Sequence, residues 1–502
     1  MNKINTNIKS TKEDKTIIVL IILLIAFFAS KIFTLFTPLF HDEIGVYGRL
    51  LFYMYEQGPS MHPADVTPEF GRGHPLFFTY FLSLISGCFA KNYIAARSVV
   101  LCLSVLTVYC TYCLAQKLTD AKTAAVVSIL LIFQPIFYAQ STMILPEIML
   151  SLLGLLCLIT YINQQYWLYC VMASLLLLTK ETGVVVLGTV ALNEWKKSGF
   201  SFRWKPLLHC IRWLAPLCTL LLFFVIQKQA YGWYLYPFHT SLISFNPATV
   251  LIRFALNFSN LFLDQGRFLL FVAFIYSSWK MGRPAFIKLI DRYFLLLAYI
   301  GLMLLFSSLN YVMTRYLLLI LPASLLFLII GIQPYFSKVK YLFAYLILSL
   351  PFQFSFLYFR QDNDMGYLIV VENMQQSIAK LDELTKGKPA MIWAQFPELN
   401  ALDFRHDGYV KNPNYVLRTV YKDSIDYILI SDRDYLANDK LVNNMEYQIE
   451  NKVDSILNDS IAFQNSGFEL VYEKVLFFNR QRIFRTNNNQ YRAADYHLKV
   501  ED

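Results

Sequence analysis

Thr16–Glu43 reads TIIVLIILLIAFFASKIFTLFTPLFHDE, an apolar run that ends directly on the acidic pair Asp42-Glu43. A hydrocarbon core of roughly 30 Å needs about 20 predominantly apolar residues in helical form, and this run supplies them. A secretory signal would close on small residues suited to cleavage. Here His41-Asp42-Glu43 follows instead, so the run reads as an uncleaved membrane span.

Similar runs recur outward from it, at 95–116, 122–138, 147–163, 166–179, 183–195, 212–227, 265–279, 293–309, 315–333 and 341–359. With 17–38 they predict about eleven transmembrane helices. The run 75–90 is apolar but short, and Gly87 interrupts its end. It is either a further span or a helix lying in the interface. Composition agrees with a polytopic α-helical membrane protein: 56% of the 502 residues are hydrophobic and 16% charged, with 42 Phe and 33 Tyr. Soluble domains carry about 25% charged residues.

The net charge of +9 would suggest nucleic acid in a soluble protein. In a membrane protein it reads as cytoplasmic loops rich in Lys and Arg. Such loops are Lys196, Lys197, Arg203, Lys205 and Arg212 with no acid between them, then Lys280 to Arg292, then Lys338 and Lys340; the N-terminus adds Lys3, Lys9, Lys12 and Lys15. Placing all of these on one side requires 75–90 not to span. The loop 39–74, with Asp42, Glu43, Glu56, Asp65 and Glu69 against Arg49 and Arg72, is then expected outside. Glu147, Lys180, Arg315, the loop 228–264 and everything after residue 360 share that face. The eight cysteines, none after Cys218, show no disulfide framework. Cys110-x-x-Cys113 reads as packing residues in an apolar helix, since no second ligand pair follows at metal spacing.

The chain divides into a membrane domain, 1–359, whose residues 39–94 form a first extracytoplasmic loop with interfacial helices, and a polar domain, 360–502. The second shows a helical pattern at Leu368–Leu384 and strand-like runs at Ala390–Phe396, Tyr427–Ser431, Phe468–Phe478 and Arg482–Thr486. This predicts a small extracytoplasmic α/β domain.

Several residues could carry chemistry, each with a plainer alternative. Asp42-Glu43, costly to place at a membrane surface, offers a general base or simply a solvated end to the span. Gly71-Arg72-Gly73-His74-Pro75-Leu76 lets backbone approach a ligand and sets His74 at a helix start, or is an ordinary cap. Glu147 follows Pro146 at the head of a span, where a helix dipole favours an acid; membrane-embedded acids are commonly functional. Lys180, in Leu-Thr-Lys-Glu-Thr-Gly, marks a broken span that suits a lined cavity, or pairs with Glu181 in a turn. Arg315-Tyr316 could bind a phosphate bidentately, or snorkel; Arg97 has the same two readings. The aromatic segment Tyr231–His239 fits a membrane-interface belt or a platform for a sugar or isoprenoid.

The order of these elements resembles the GT-C glycosyltransferases, in particular the protein O-mannosyltransferase and aminoarabinose (lipid A) transferase group. The resemblance rests on the acidic pair after span one, His74-Pro75 before an apolar helix, Ala96-Arg97-Ser98, Pro146-Glu147, Leu178-Thr179-Lys180, and Arg315-Tyr316 before Pro322. It covers roughly 15–360, and Asp364-Met365-Gly366-Tyr367 with the trailing domain is similar to bacterial members. It departs at Glu147, where relatives carry Asp, and at His74-Pro75-Leu76. The resemblance implies a polyprenyl-phosphate-sugar donor and inverting transfer to a lipid, protein or glycan acceptor, outside the cytoplasmic (inner) membrane. Asp42 matches the catalytic base and Glu43 its companion; His74, Lys180 and Arg315 face the lipid phosphate, with Glu147, Tyr316 and Arg97 as further substrate-binding positions. No cofactor is required by it, and a divalent metal, though possible at Asp42, Glu43 and Glu147, is not expected. The competing class is a lipid or glycan flippase, which predicts repeats and charges at mid-membrane; the sequence shows neither.

Overall fold

The computed structural model describes residues 18–40, 42–310, 312–353, 364–394, 401–402, 409–410, 415–418, 426–432, 468–476 and 479–486. The N-terminal lysines Lys3, Lys9, Lys12 and Lys15, the domain boundary at 359–360, the strand ends Phe396 and Phe478, and the side chains of Asp364 to Tyr367 lie outside them. The chain forms two compact units: Met1–Phe36 with Leu50–Ser355, and Thr37–Arg49 with Phe356–Asp502.

The first unit is mostly helical. Two of its described helices, Ile18–Phe36 and Tyr93–Leu118, are long and apolar enough to cross a membrane alone, and up to five spans result if three bent pairs each count as one. Those pairs break by 62° between Trp204–Arg212 and Leu217–Tyr231, by 45° between Pro247–Phe262 and Asp264–Met281, and by 78° between Arg283–Arg292 and Phe294–Ser308. The expectation of about eleven continuous spans is therefore not established by helix length. The reason is local. Helices such as Glu147–Ile162, Tyr166–Thr179 and Leu321–Phe336 reach about 21–24 Å at 1.5 Å per residue, short of a full hydrocarbon core.

Prolines and positive-φ residues make many of the breaks. Gln134 is extended before Pro135, as the residue preceding proline prefers. Gln265 (φ 51°) and Gly266 (φ 81°) turn the chain between Pro247–Phe262 and Arg267–Met281. Arg267, 1% exposed, clasps this break. Its guanidinium donates to Leu261 O (2.9 Å), Asn260 O (2.5 Å), Gln134 Oε1 (2.9 Å) and Gln265 Oε1 (3.1 Å). A buried cation is tolerated where its donors find acceptors.

The core of this unit lies along Glu147–Ile162 and Leu321–Phe336, which are buried on nearly every face. Gly154 permits a close approach: a Cβ there would stand 2.9 Å from Tyr299 Oη and 3.0 Å from Leu319 Cδ1. Tyr299 Oη in turn donates to Leu319 O at 2.8 Å. This packing brings the 3₁₀ turn Thr314–Leu319 against the Glu147 helix.

In the second unit, strands β1 (Ala390–Ala394), β2 (Tyr415–Arg418), β3 (Tyr427–Asp432), β4 (Phe468–Leu476) and β5 (Asn479–Thr486) form one sheet in the order β2-β1-β3-β5-β4. β1 pairs parallel with β2 and β3; β5 pairs antiparallel with β3 and β4. The helix Asp364–Thr385 packs on β4 and β5, burying Val370, Val371, Met374, Ile378 and Leu381, the stripe that a 3.6-residue period sets on one face. β2 was not among the expected strands. Four residues give too short an alternation to read without the parallel neighbour that pairs with them.

Candidate functional site

The chain passes through Lys180 in extended form (φ −164°, ψ 142°), between the helix Tyr166–Thr179 and the 3₁₀ turn Glu181–Gly183. Gly183 makes the turn possible: a Cβ there would stand 2.7 Å from Leu176 Cγ. The break directs Lys180 and Glu181 to different partners.

Lys180 Nζ donates to Glu147 Oε1 at 3.1 Å. Arg315 Nε lies 3.6 Å from that same oxygen. The Lys180, Glu147 and Arg315 side chains are 5%, 2% and 7% exposed. Lys180 Nζ also stands 4.0 Å from the centroid of the Tyr316 ring, a cation–π contact that strengthens as water is excluded. Glu147 Oε2 is buried and accepts no hydrogen bond among the described residues, so the carboxylate keeps acceptor capacity beyond its two cations.

Glu181 turns to His74, with Nδ1 and Oε2 3.1 Å apart. Burial pushes the Glu181 carboxyl upward, but the charge and hydrogen bond of His74, with Lys180 beside it, outweigh this and bring it down to about 2. His74 lies in the connection before the helix Phe77–Gly87, so the helix starts two residues later than Pro75 suggested and His74 does not sit at its first turn. Its ring centroid is 4.5 Å from that of His239. Burial, and then the charges of His74, Lys180 and Arg72 against the opposing Glu181, push His239 down to about 4. His239 is therefore neutral at physiological pH.

Gly73 sets this approach. Its φ of +70° suits glycine, and a Cβ would lie 2.8 Å from Tyr236 Cβ and 2.9 Å from Trp233 Cζ3. The rings Tyr231, Trp233, Tyr236, His239 and His74 follow one another at centroid spacings of 5.1, 5.5, 5.4 and 4.5 Å. Tyr231 Oη donates to the carbonyls of Pro63 and Val66, tying this aromatic segment to the loop that carries Gly73.

Four of the expected residues, Glu147, Lys180, Arg315 and Tyr316, thus share direct contacts, and His74 joins them through Glu181. Arg97 is engaged with another neighbour: it is 1% exposed and its Nη1 donates to Thr34 O at 3.2 Å. Asp42 and Glu43 belong to the second unit. Glu43 is buried and closes on its own turn, since its N–H donates to Phe40 O (3.1 Å) and its Oε2 accepts from the Phe40 N–H (3.2 Å). Asp42 is partly buried and opens a π-helical turn, Glu43–Tyr47, that its side chain does not cap.

Sequence reading gave Glu181 only a turn role and His239 none of its own; both partnerships need residues more than a hundred positions away. It also passed over a second cluster, about 15 Å along the Val184–Lys197 helix from the Lys180 break. There Glu194, 7% exposed, accepts from Tyr161 Oη and lies 2.7 Å from Lys197 Nζ and 2.8 Å from His209 Nε2. Among the described residues no three or more His, Cys, Asp or Glu side chains come together as a metal-holding group.

Among solved structures the fold has a likeness that runs along nearly the whole chain. The likeness is to ArnT, an aminoarabinose transferase from Cupriavidus metallidurans solved bound to undecaprenyl phosphate: TM-score 0.54 and 12% identity over 95% of this chain and 98% of ArnT. The archaeal oligosaccharyltransferase AglB from Archaeoglobus fulgidus, solved with an inhibitory peptide and a dolichol-phosphate, gives a TM-score of 0.44 at 10% identity over 79% of this chain and 66% of AglB. No protein-family model matches the chain, and no curated protein matches it by sequence.

Proposed function

We propose that the chain is an integral membrane glycosyltransferase that moves a sugar from a polyprenyl-phosphate carrier to a lipid, protein or surface-glycan acceptor. The observation that carries this reading is the meeting of Lys180 and Arg315 on Glu147, within a fold shared with a polyprenyl-phosphate-bound transferase. Two nearly buried cations beside an aromatic ring suit a lipid phosphate at a membrane boundary.

In the proposed reaction the acceptor hydroxyl or amine attacks the anomeric carbon from the side opposite the phosphate. Asp42, taken as base from the motif resemblance, receives the acceptor proton as the new bond forms. The bond from the anomeric carbon to the phosphate oxygen breaks, and its electron pair leaves with the polyprenyl phosphate. Lys180, Arg315 and His74 offset the charge that develops there. The configuration inverts, because displacement is single. A phosphate leaves without a general acid, so one essential carboxylate suffices. The proposed setting is the cytoplasmic membrane, with the N-terminus inside and the C-terminal domain outside.

The test is transfer by the purified protein from a polyprenyl-phosphate sugar, beside an Asp42→Asn variant of unchanged thermal stability. Wild type is expected to transfer and the variant not to; equal rates would remove Asp42 from the mechanism. Mass spectrometry of lipid-linked sugars and envelope glycans, with and without the gene, then identifies the sugar and acceptor. A sugar-loaded carrier should accumulate when the gene is absent, and unchanged lipid and glycan profiles would overturn the transferase reading.

A further inference from the structure

We infer that Glu147 is a charge-setting residue that keeps the phosphate site from holding the spent carrier more tightly than the loaded one. The inference rests on the lipid-phosphate reading above and adds to it a role for the carboxylate that sits between the two cations.

The geometry is unusual for a pure anion site. Lys180 Nζ and Arg315 Nε approach one oxygen of Glu147, at 3.1 and 3.6 Å, and all three side chains are nearly sealed from water. A carboxylate buried there opposes any anionic ligand that comes to those cations. If phosphate affinity alone mattered, an uncharged acceptor such as Gln would hold the cations apart without that opposition.

The reaction supplies a reason. The loaded carrier is a phosphodiester with a single negative charge. The spent carrier is a phosphomonoester, which bears about −1.5 to −2 at neutral pH because its second ionisation lies near pH 6. Cations that stabilise the leaving group therefore also favour the product, and each added unit of site charge favours the monoester over the diester. Glu147 removes one such unit where it counts most, because field strength rises as dielectric falls. Whatever other groups approach Lys180 and Arg315, substituting Glu147 by Gln changes the local charge by that one unit. The sign of its effect follows.

The measurement is the ratio of affinities for undecaprenyl phosphate and its monomethyl ester, read by titration of the full-length protein in detergent at pH 8. At this pH the monoester carries its second charge and the methyl ester cannot. Glu147→Gln is expected to raise the preference for the monoester by about tenfold or more, the size of effect a neighbouring full charge has on an ionisation. Lys180→Met should lower that preference. The double variant should return it near the wild-type value, because the two charges removed cancel. In transfer assays Glu147→Gln should show stronger inhibition by undecaprenyl phosphate and a fall in kcat without a matching rise in KM.

If Glu147→Gln does not fold, comparison of Lys180→Met with the double variant measures the same unit of charge, since Lys180 is absent from both. A ratio that ignores the charge changes would overturn the inference while leaving the lipid-phosphate site intact. Failure of the wild-type protein to bind either lipid would overturn the phosphate reading itself, and this inference with it.

Discussion

Lys180 and Glu147, 33 residues apart in the chain, meet at 3.1 Å between Nζ and Oε1. Neither charge could remain buried alone, because an unpaired buried ion costs several kcal/mol. The ion pair therefore joins the head of one helix to the break after another, and it is also the centre of the proposed phosphate site.

Lys180→Met should abolish transfer and lower stability by about 3 kcal/mol, since it takes from the buried Glu147 its nearer cation and leaves Arg315 at 3.6 Å. Adding Glu147→Gln should restore most of the stability and none of the activity. Thermal unfolding and transfer assays on the cycle of variants check this; a double variant as unstable as the single would show that the pair is not coupled.

Asp42→Asn should reduce transfer by about 10²-fold or more with no change in melting temperature. Glu43→Gln should instead act mainly on the fold. Its carboxylate accepts the Phe40 N–H at 3.2 Å, and a neutral amide in its place weakens that bond by roughly 1 kcal/mol. Reversed effects for the two variants would exchange their roles.

Acid should weaken the protein through His239. Its folded pKa is pushed from 6.5 to about 4, so the unfolded chain binds more protons between those values. Stability is therefore lost as pH falls from about 6.5 through about 4. Glu181, held down at about 2 from a usual 4.5, keeps its contribution until the pH falls below about 4.5. The window from 6.5 to 4.5 thus isolates His239. There wild type should lose on the order of 1–2 kcal/mol after allowance for solvent screening, and His239→Gln should flatten the profile. Parallel melting curves for the two proteins across this range would contradict the assignment.

Gly73→Ala should lower activity more than stability. The residue has φ +70°, and its added carbon would meet Tyr236 and Trp233 at under 3 Å. Relief of that clash moves the aromatic segment away from His74, at a cost of about 1–2 kcal/mol in backbone strain. Wild-type transfer by this variant would show that the ring spacing is not needed.

A cysteine at Val475, which is 47% exposed on β4, should react with a membrane-impermeant maleimide on intact cells, in a background lacking the native thiols. Labelling that requires lysis would reverse the proposed sidedness.

Sequence alone determined the class of the chain, because burial in lipid demands apolar length and that demand is written residue by residue. It also marked a helical pattern at 368–384, inside the observed Asp364–Thr385, and most strands, where periodicity shows which face is covered. Single polar residues in apolar surroundings, Glu147, Lys180 and Arg315 among them, stood out for the same reason: each costs too much there to be incidental. Their partners were a different matter. That Lys180 turns to Glu147 while Glu181 turns to His74, and that the Arg267 guanidinium fills the break at Gln265-Gly266, depends on helices far apart in the chain packing at particular spacings. A glycine at 154 or 73 fixes such a spacing only through the atoms of another segment that stand against it, and those atoms are placed only by the tertiary structure.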